Sequence, residues 1–415
     1  MQAVAQKDFR QDVNGLRAWA VVLVALFHFN VAGFGAGFMG VDIFFVISGF
    51  FMASIIVSGL EASDSSEPFS VWRFYVARGV RIAPALMFFC IVLLTLGWFY
   101  LPQMEYAQLV KHAIAALFQV SNIVLWKEVG YFDPQSLHNF LLHTWSVSLE
   151  WQFYLILPLA LLVAWKIRPS RSFLFAVLAL GWIASFLLSV YFSITKPSTA
   201  FFMLPTRAWE LISGCLVFFI AHYLSARRLK MGPAIEVCGW LAIILALVLF
   251  DRDTQWPGWQ ALFPVVGTAL IILAARKESI VTRGFIAQWI GKRSYSLYLW
   301  HWPVVVVLIY LDKMNDPLAV AAGVLLSLIL GAVSYYLVET PGRKELRQLG
   351  PRVACVSLVV LTLAICIPTS VIFVRHGMAG RLSFDNERAF MALKDRAQQT
   401  VACDDDCEED TNPPK

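Results

Sequence analysis

Long apolar runs alternate with short charged segments along most of the chain. A helix needs about 20 mostly apolar residues to cross the hydrocarbon core of a bilayer. The runs of this length predict an all-α, polytopic membrane bundle with about eleven transmembrane helices. The predicted spans are 14–33, 38–58, 82–101, 147–165, 172–194, 204–225, 233–250, 258–275, 294–311, 317–338 and 353–374.

One further segment, 109–126, is only moderately apolar and begins with Lys111 and His112. Cytoplasmic loops of membrane proteins carry an excess of Lys and Arg. The basic loops all fall on the cytoplasmic side only if this segment does not cross. We therefore predict a re-entrant or interfacial helix on the outer side, with the N-terminus cytoplasmic and the C-terminus periplasmic.

The composition agrees with a membrane protein. The chain has 415 residues, of which 59% are hydrophobic and 15% are charged, and its mean hydropathy is +0.67. A soluble domain carries about 25% charged residues, so a soluble enzyme and a nucleic-acid binder are both excluded. The formal charge of +5 matters less than the position of the charges, which lie between the apolar runs.

After about residue 375 the chain becomes polar and charged. We divide it into a transmembrane domain (1–345), an additional transmembrane helix (346–375), and a periplasmic linker or the start of a truncated extracytoplasmic region (376–415). Cys403 and Cys407 lie on the predicted outer side, where a local disulfide could persist. No His lies near them, and we predict no metal site.

Arg17 and His28 are ionisable residues in the first predicted span. They are eleven residues apart and return to nearly the same helix face, about 16 Å apart along the axis. Ionisable groups inside a bilayer are expensive and frequently functional, and His suits proton transfer near neutral pH. The plainer alternative, in which Arg17 reaches the headgroups and His28 bonds a neighbouring carbonyl, stays open.

Arg78 and Arg81 lie at the cytoplasmic end of the third span. An i, i+3 pair shares a helix face and could bind a phosphate, although contact with lipid headgroups explains it equally. Glu339, in YYLVETPGRK, is at the inner end of another span and could neutralise one of these arginines. Simple helix termination before Pro341 is the alternative for that motif.

A second polar group is predicted toward the outer side. Arg207 and Glu210 are i, i+3, so a structural ion pair is the leading interpretation. His143 and Glu150 share a face only if 143–146 is already helical. A hydrogen-bonded packing role is at least as plausible for His301 as a ligand role. The residues assigned here to the acceptor side or to structure are Asp42, His143, Glu150, Arg207, Glu210 and His301.

Taken together, polar residues enter the bundle from both faces. This pattern indicates either a transporter or a transmembrane transferase. The chain lacks G-x-S-x-G, Walker A and H-E-x-x-H signatures, so an ATP-driven pump is not favoured.

At its motifs the sequence resembles the membrane-bound acyltransferase-3 family. The motifs occur in family order over roughly residues 10–345. They are DVNGLRAWAVVLVALFHF with its R-x10-H spacing, GFMGVDIFFVISGFF, FYVARGVRIAPAL, LLHTWSVSLEWQFYLILP, LPTRAWELISG, SYSLYLWHWP and VETPGRK.

The resemblance implies O-acylation of an extracytoplasmic carbohydrate from a cytoplasmic acyl-CoA, most often acetyl-CoA, which is a substrate and not a bound cofactor. Some members carry a periplasmic SGNH hydrolase-like domain after an extra span. The helix predicted at 353–374 and the outward tail resemble the beginning of that arrangement, which a longer natural chain would complete; the printed sequence contains no such domain.

The family pattern implies that Arg17 and His28 are the essential pair and that Arg78 and Arg81 face the acyl donor. Glu339 matches an acidic residue before proline and is grouped with the donor site. Trp151 departs from the family, which commonly has a second acid there, so a mechanism with two acids is in doubt.

We therefore expect an O-acyltransferase of the bacterial inner membrane that modifies a surface polysaccharide or a lipid-linked glycan, with lipopolysaccharide O-antigen favoured. Membrane lipids are the other expected partner, and nucleic acid is not. One alternative is a carrier that moves a glycan or acyl group without catalysing the final transfer. Another is a chain that delivers acyl groups outward to a missing domain.

Overall fold

The structure is a computed structural model in which the described part of the chain is helical. It describes residues 9–62, 69–128, 137–228, 232–378, 380–382, 387–388, 390 and 392. These residues contain no β-strand. Cys403 and Cys407, and most of the predicted 376–415 region, lie outside the described residues.

The chain divides into two compact units. Unit 1 comprises Met1–Val71 and Glu150–Tyr295, and unit 2 comprises Trp72–Leu149 and Ser296–Lys415. The α-helices, in chain order, are α1 (Gln11–His28), α2 (Gly40–Glu61), α3 (Val71–Tyr100), α4 (Gln103–Leu117), α5 (Ser121–Glu128), α6 (Thr144–Ile167), α7 (Arg171–Thr195), α8 (Pro197–Phe202), α9 (Leu204–Ala226), α10 (Pro233–Leu249), α11 (Leu262–Ala274), α12 (Ile280–Arg283), α13 (Phe285–Tyr310), α14 (Pro317–Ser334), α15 (Thr340–Gln348) and α16 (Gly350–Val374).

Each of the eleven predicted apolar runs overlaps one of these helices. In the described part of the chain, seven helical segments are long and apolar enough to cross a membrane, so the protein is a multi-pass membrane protein. They are Gly37–Glu61, Val71–Tyr100, Thr144–Ile167, Arg171–Thr195, Leu204–Ala226, Pro317–Gln348 and Gly350–Val374. The count of about eleven crossings stays a prediction.

The four remaining predicted spans fall short for two physical reasons. Helices α10 and α11 are apolar but have only 17 and 13 residues. Helices α1 and α13 are longer but carry more polar residues, among them Arg17 and His28 in α1 and His301 in α13. Candidate site residues thus lower the mean hydropathy of the helices that carry them.

The segment predicted not to cross forms two short helices, α4 and α5, and the chain turns between them at Gln119, whose φ is +58°. A helix of 15 residues, such as α4, is about 22 Å long, which is less than the roughly 30 Å of a bilayer core. Neither helix alone is long enough to span, in agreement with the prediction that this segment does not cross, but the structure has two short helices where one was predicted. The side of the membrane on which they lie stays a prediction.

In unit 1, α2 packs along α9, and α9 in turn packs along α7. Two glycines permit the α2–α9 contact. A Cβ atom at Gly49 would lie 1.7 Å from the Leu211 carbonyl oxygen, and one at Gly214 would lie 1.9 Å from the Val46 carbonyl oxygen. Close approach at small residues is a common way to associate helices in a membrane.

In unit 2, α16 packs on α4 and α15. Beyond α16 the chain turns back at Gly377, whose φ is +86°. The Arg381 guanidinium donates to the Gly97 and Leu101 carbonyl oxygens at the end of α3 and lies 4.4 Å from the centre of the Tyr106 ring. The described start of the predicted linker therefore packs on unit 2.

The α2–α9 contact predicts the effect of adding one methyl group. Gly214→Ala should destabilise the protein by about 1–3 kcal/mol or more, because the new Cβ meets backbone that cannot move aside without separating the helices. Thermal unfolding in detergent measures the effect. Gly181→Ala in α7 is the control, since its Cβ would lie 3.6 Å from the Ile212 side chain, an ordinary contact. Equal melting temperatures for the two variants would contradict the packing argument.

The α4–α5 junction predicts a dependence on pH. Burial raises the pKa of Glu128, but hydrogen bonds and charge from His112 and Lys111 outweigh this effect and hold the pKa below its ordinary value. A carboxyl with a depressed pKa stabilises the fold above its ordinary pKa, and the gain is lost as pH falls through the depressed value. Wild type should therefore lose stability below about pH 4.5 more steeply than Glu128→Gln. Parallel stability curves over that range would contradict the prediction.

Candidate functional site

Helix α1 carries the predicted pair Arg17 and His28. Arg17 is half-buried, and His28 is the last residue of the helix and is 9% exposed. The predicted span continued to residue 33, whereas the helix ends at His28. The reason is local: Asn30 adopts a left-handed conformation with φ of +53°, and the Val31 amide donates to the Leu26 carbonyl oxygen, which closes the helix.

Aromatic rings surround the end of α1 at His28. The His28 ring lies 5.1 Å from the Phe27 ring, and Phe27 contacts Phe38 at 5.2 Å. Phe38 in turn contacts Trp256 at 4.9 Å. Arg252 lies over the Phe27 ring and donates to the Asn30 side chain at 2.9 Å. The position of His28 is therefore tied to a packed aromatic row in unit 1.

The same aromatic row ends at a fully buried charged cluster, which we call the Arg207 cluster: Arg207, Asp42 and Glu210. The Arg207 Nη1 donates to Asp42 Oδ1 at 2.7 Å and to Glu210 Oε1 at 2.8 Å. The Trp256 indole donates to Asp42 Oδ2 at 3.2 Å. Each member of the cluster is at most 1% exposed.

The cluster holds two carboxyl groups for one guanidinium. The Arg207 Nε also donates to the Phe201 carbonyl oxygen, so the cation is bound on several sides. Glu210 Oε2, in contrast, is buried without a hydrogen-bond partner among the described residues. A buried ion pair is strongly destabilised when one partner is removed, so each member constrains the others.

Glu150, also in unit 1, lies on α6 and faces α2. Its Oε1 accepts hydrogen bonds from the Ser48 and Tyr154 hydroxyl groups. His143 directly precedes the first residue of α6, so the helical seven-residue spacing considered for His143 and Glu150 does not apply.

Arg78 and Arg81 lie on α3 and belong to unit 2 with Glu339, whereas Arg17 and His28 belong to unit 1. Both arginines are half-buried, and the Arg78 guanidinium lies 5.8 Å from the centre of the Phe74 ring. Their spacing on one continuous helix places them on one face.

Arg343 connects the predicted donor-side residues of unit 2. The Glu339 Oε1 binds Arg343 Nη2 at 2.7 Å, and Oε2 accepts a hydrogen bond from Ser296. The Arg343 guanidinium also donates twice, at 2.9 and 3.1 Å, to the carbonyl oxygen of Arg81. Sequence reasoning missed Arg343, although its i, i+4 spacing from Glu339 is a signal for an ion pair.

His143 and His301 form a second buried group in unit 2. Their rings are 5.6 Å apart, and they are 1% and 2% exposed. His301 Nδ1 lies 2.7 Å from the Tyr298 carbonyl oxygen, and the Tyr298 hydroxyl donates to the His143 carbonyl oxygen. Both His143 ring nitrogens are buried without partners among the described residues. Sequence reasoning had not joined these two histidines, which are far apart in the chain.

In the described part of the chain, no group of three or more His, Cys, Asp or Glu side chains is placed to hold a metal ion. The polar groups there are ion pairs, hydrogen-bonded carboxylates and histidines. Such groups can bind an anionic substrate and move a proton.

Comparison with known proteins identifies the chemistry of the relatives. The family described as an acyltransferase domain (acyltransferase-3) matches residues 10–371. The peptidoglycan O-acetyltransferase OatA of Listeria monocytogenes is 31% identical over 82% of this chain and 56% of its own length. The O-acetyltransferase OatA of Staphylococcus aureus is 30% identical over 80% of this chain and 57% of its own length.

A third relative is similar in length. The putative membrane-bound transacylase BcsY of Komagataeibacter xylinus is 34% identical over 81% of this chain and 83% of its own length. By contrast, the chain spans a little over half of the two OatA proteins. No solved structure matches the chain.

The Arg207 cluster predicts a large loss of stability when its cation is removed. Arg207→Met should lower the free energy of unfolding by about 3–5 kcal/mol, because it leaves two buried carboxyl groups without the cation that they share. Arg227→Met, at the residue that directly follows α9, is the control, since Arg227 is exposed and should change stability by at most about 0.5 kcal/mol. Unfolding in detergent by heat or denaturant measures both. A similar loss in the two variants would show that the cluster does not stabilise α2 against α9.

Proposed function

The chain belongs to the acyltransferase-3 family, and we propose that it is a membrane O-acyltransferase that transfers an acetyl group from cytoplasmic acetyl-CoA to a hydroxyl group of an extracytoplasmic glycan. The observation that carries the proposal is the family match over residues 10–371, which contains both α1 and the Arg78–Arg81 pair. Two relatives are named O-acetyltransferases, which supports acetyl as the transferred group and an oxygen atom as its acceptor.

His28 is the proposed catalytic residue. As a general base it accepts the proton of the glycan hydroxyl, and the hydroxyl oxygen attacks the thioester carbonyl. The carbon–sulfur bond then breaks, and the imidazolium returns the proton to the leaving thiolate, so that coenzyme A leaves as a thiol. In the alternative route the imidazole attacks the thioester first, and the carbon–sulfur bond breaks to release the coenzyme A thiol. The glycan hydroxyl then attacks the acyl-imidazole, its proton passes to the imidazole, and the carbon–nitrogen bond breaks to free His28. Arg17, on nearly the same face of α1 but about 16 Å away along the axis, is the second proposed functional residue of this helix in either route.

Arg78 and Arg81 are the proposed binding residues for the acyl donor. Coenzyme A is polyanionic, and guanidinium groups bind phosphate through paired, directed hydrogen bonds. Arg343 is added to this group, because it binds Glu339 and also holds the Arg81 carbonyl oxygen. We assign Glu339 the role of orienting Arg343, and so of fixing the position of α3 at Arg81.

The proposed acceptor is lipopolysaccharide O-antigen in the bacterial inner membrane, with the N-terminus of the chain in the cytoplasm. Peptidoglycan is the competing acceptor, because one relative is named for it. Fractionation of the cell envelope before ester analysis distinguishes the two glycans.

The alkali-labile acetate of the envelope glycan tests the proposal. A deletion strain carrying His28→Ala at matched membrane levels should lose nearly all of the ester made by the wild-type protein, since general base catalysis contributes about 10²–10⁴-fold. The control is His222→Ala, which removes an exposed histidine. Equal ester in wild type and His28→Ala would remove His28 from the chemistry. No ester in any strain would favour a carrier over a transferase.

A further inference from the structure

Unit 2 contains an apolar groove of about 960 Å³. It is lined mainly by the second half of α3, the second half of α13 and most of α14. Its wall is made almost entirely of carbon, from residues such as Leu93, Leu96, Val304, Val307, Leu326 and Leu330. This volume is at the upper end of the range for small-molecule pockets.

The groove is accessible from the side of the helices. Val307 and Leu326, on its two facing walls, are each 46% exposed, and Leu96 is 49% exposed. Two of the three helices, α3 and α14, belong to the segments that are long and apolar enough to cross a membrane. The chemistry that would fill such a lateral groove is therefore hydrocarbon.

The length of the groove matches one leaflet of a bilayer. Along the helices, its lining extends from Trp300 to Tyr310 on α13 and from Leu318 to Leu330 on α14. At 1.5 Å per residue these stretches are about 15 and 18 Å long, roughly half of a 30 Å hydrocarbon core. A chain that lies in the groove would thus reach about as deep as the tail of a lipid in a single leaflet.

One end of the groove is charged, at the connection between α13 and α14. Lys313 and Asp316 line this end, and the exposed Tyr100 lies there at the end of α3. Lys313 Nζ is 4.0 Å from Asp316 Oδ2, while Asp316 Oδ1 accepts the Leu318 and Ala319 amides at the start of α14. Lysine and tyrosine mark the level of lipid headgroups, and an ammonium group at this level attracts phosphate.

We propose that this groove is a binding site for one phospholipid, which places an acyl chain along α13 and α14 and its phosphate beside Lys313. The depth of one leaflet favours a phospholipid over a much longer isoprenoid chain. Binding of a phospholipid in this groove does not depend on acyl transfer, so this proposal can be tested independently of the proposed function.

Photo-crosslinking in nanodiscs tests the proposal. The probe is phosphatidylglycerol with a diazirine in the middle of one acyl chain, and adducts on the full chain are mapped by mass spectrometry. Labelling of Val307 and Leu326 should exceed labelling of Val356 and Val360 several-fold. These two α16 residues are the matched control, because they are at least as exposed but lie outside the groove.

Two pairs of variants test the groove and its charged end. Ala322→Trp, on the exposed wall of α14, should abolish the excess labelling, whereas Val360→Trp on α16 should not. Lys313→Ala should lower the amount of phospholipid that copurifies with the protein, and Lys313→Arg should retain it.

Crosslinking of the wild-type chain tests the proposal even if a variant fails to insert into the membrane. Equal labelling of the groove and of α16 would show that only bulk lipid covers both surfaces and would overturn the proposal. Copurification of a polyisoprenyl phosphate in place of phospholipid would also overturn it.

Discussion

A membrane provides no water to satisfy a buried polar group, so each charge inside this bundle requires a partner from the protein itself. The Arg207 cluster is the clearest consequence of this constraint. One guanidinium from α9 binds a carboxyl from α2 and a carboxyl from its own helix, while the α2–α9 contact is brought close by Gly49 and Gly214. Charge pairing and close backbone packing therefore fix the same helix pair.

The Arg207 cluster is also connected, through a row of aromatic side chains, to His28, the candidate catalytic residue of unit 1. Asp42 accepts a hydrogen bond from Trp256, and Trp256 begins the aromatic row that ends at His28. Unit 2 uses the same principle in a different way. There, Glu339 is neutralised by Arg343, and the guanidinium of Arg343 binds the backbone of the helix that carries Arg78 and Arg81.

Most helices of this fold could be predicted from the length of the apolar runs in the sequence. Every predicted apolar run overlaps a helix, whereas the segment at 109–126, predicted as one re-entrant or interfacial helix, forms two short helices. The error at the end of α1 has a local cause. The apolar residues continue to Val31, but Asn30 in a left-handed conformation ends the helix at His28.

The candidate site was less accessible to sequence reasoning, because its contacts join distant parts of the chain. Arg207 and Glu210 are one helical turn apart, so their spacing suggests the pair, whereas Asp42 lies 165 residues before Arg207. The contact of Arg343 with the Arg81 carbonyl spans 262 residues. Spacing along a helix predicts contacts within that helix, but it does not predict contacts between residues that are far apart in the chain.

The central claim is that His28 carries acyl transfer from coenzyme A. It is tested most directly with purified full-length chain in liposomes, by following the release of free coenzyme A thiol from acetyl-CoA in the presence of an envelope glycan. We expect glycan-dependent thiol release by wild type and by His222→Ala, and its loss in His28→Gln with normal folding. Equal thiol release by wild type and His28→Gln would show that acyl transfer does not depend on His28.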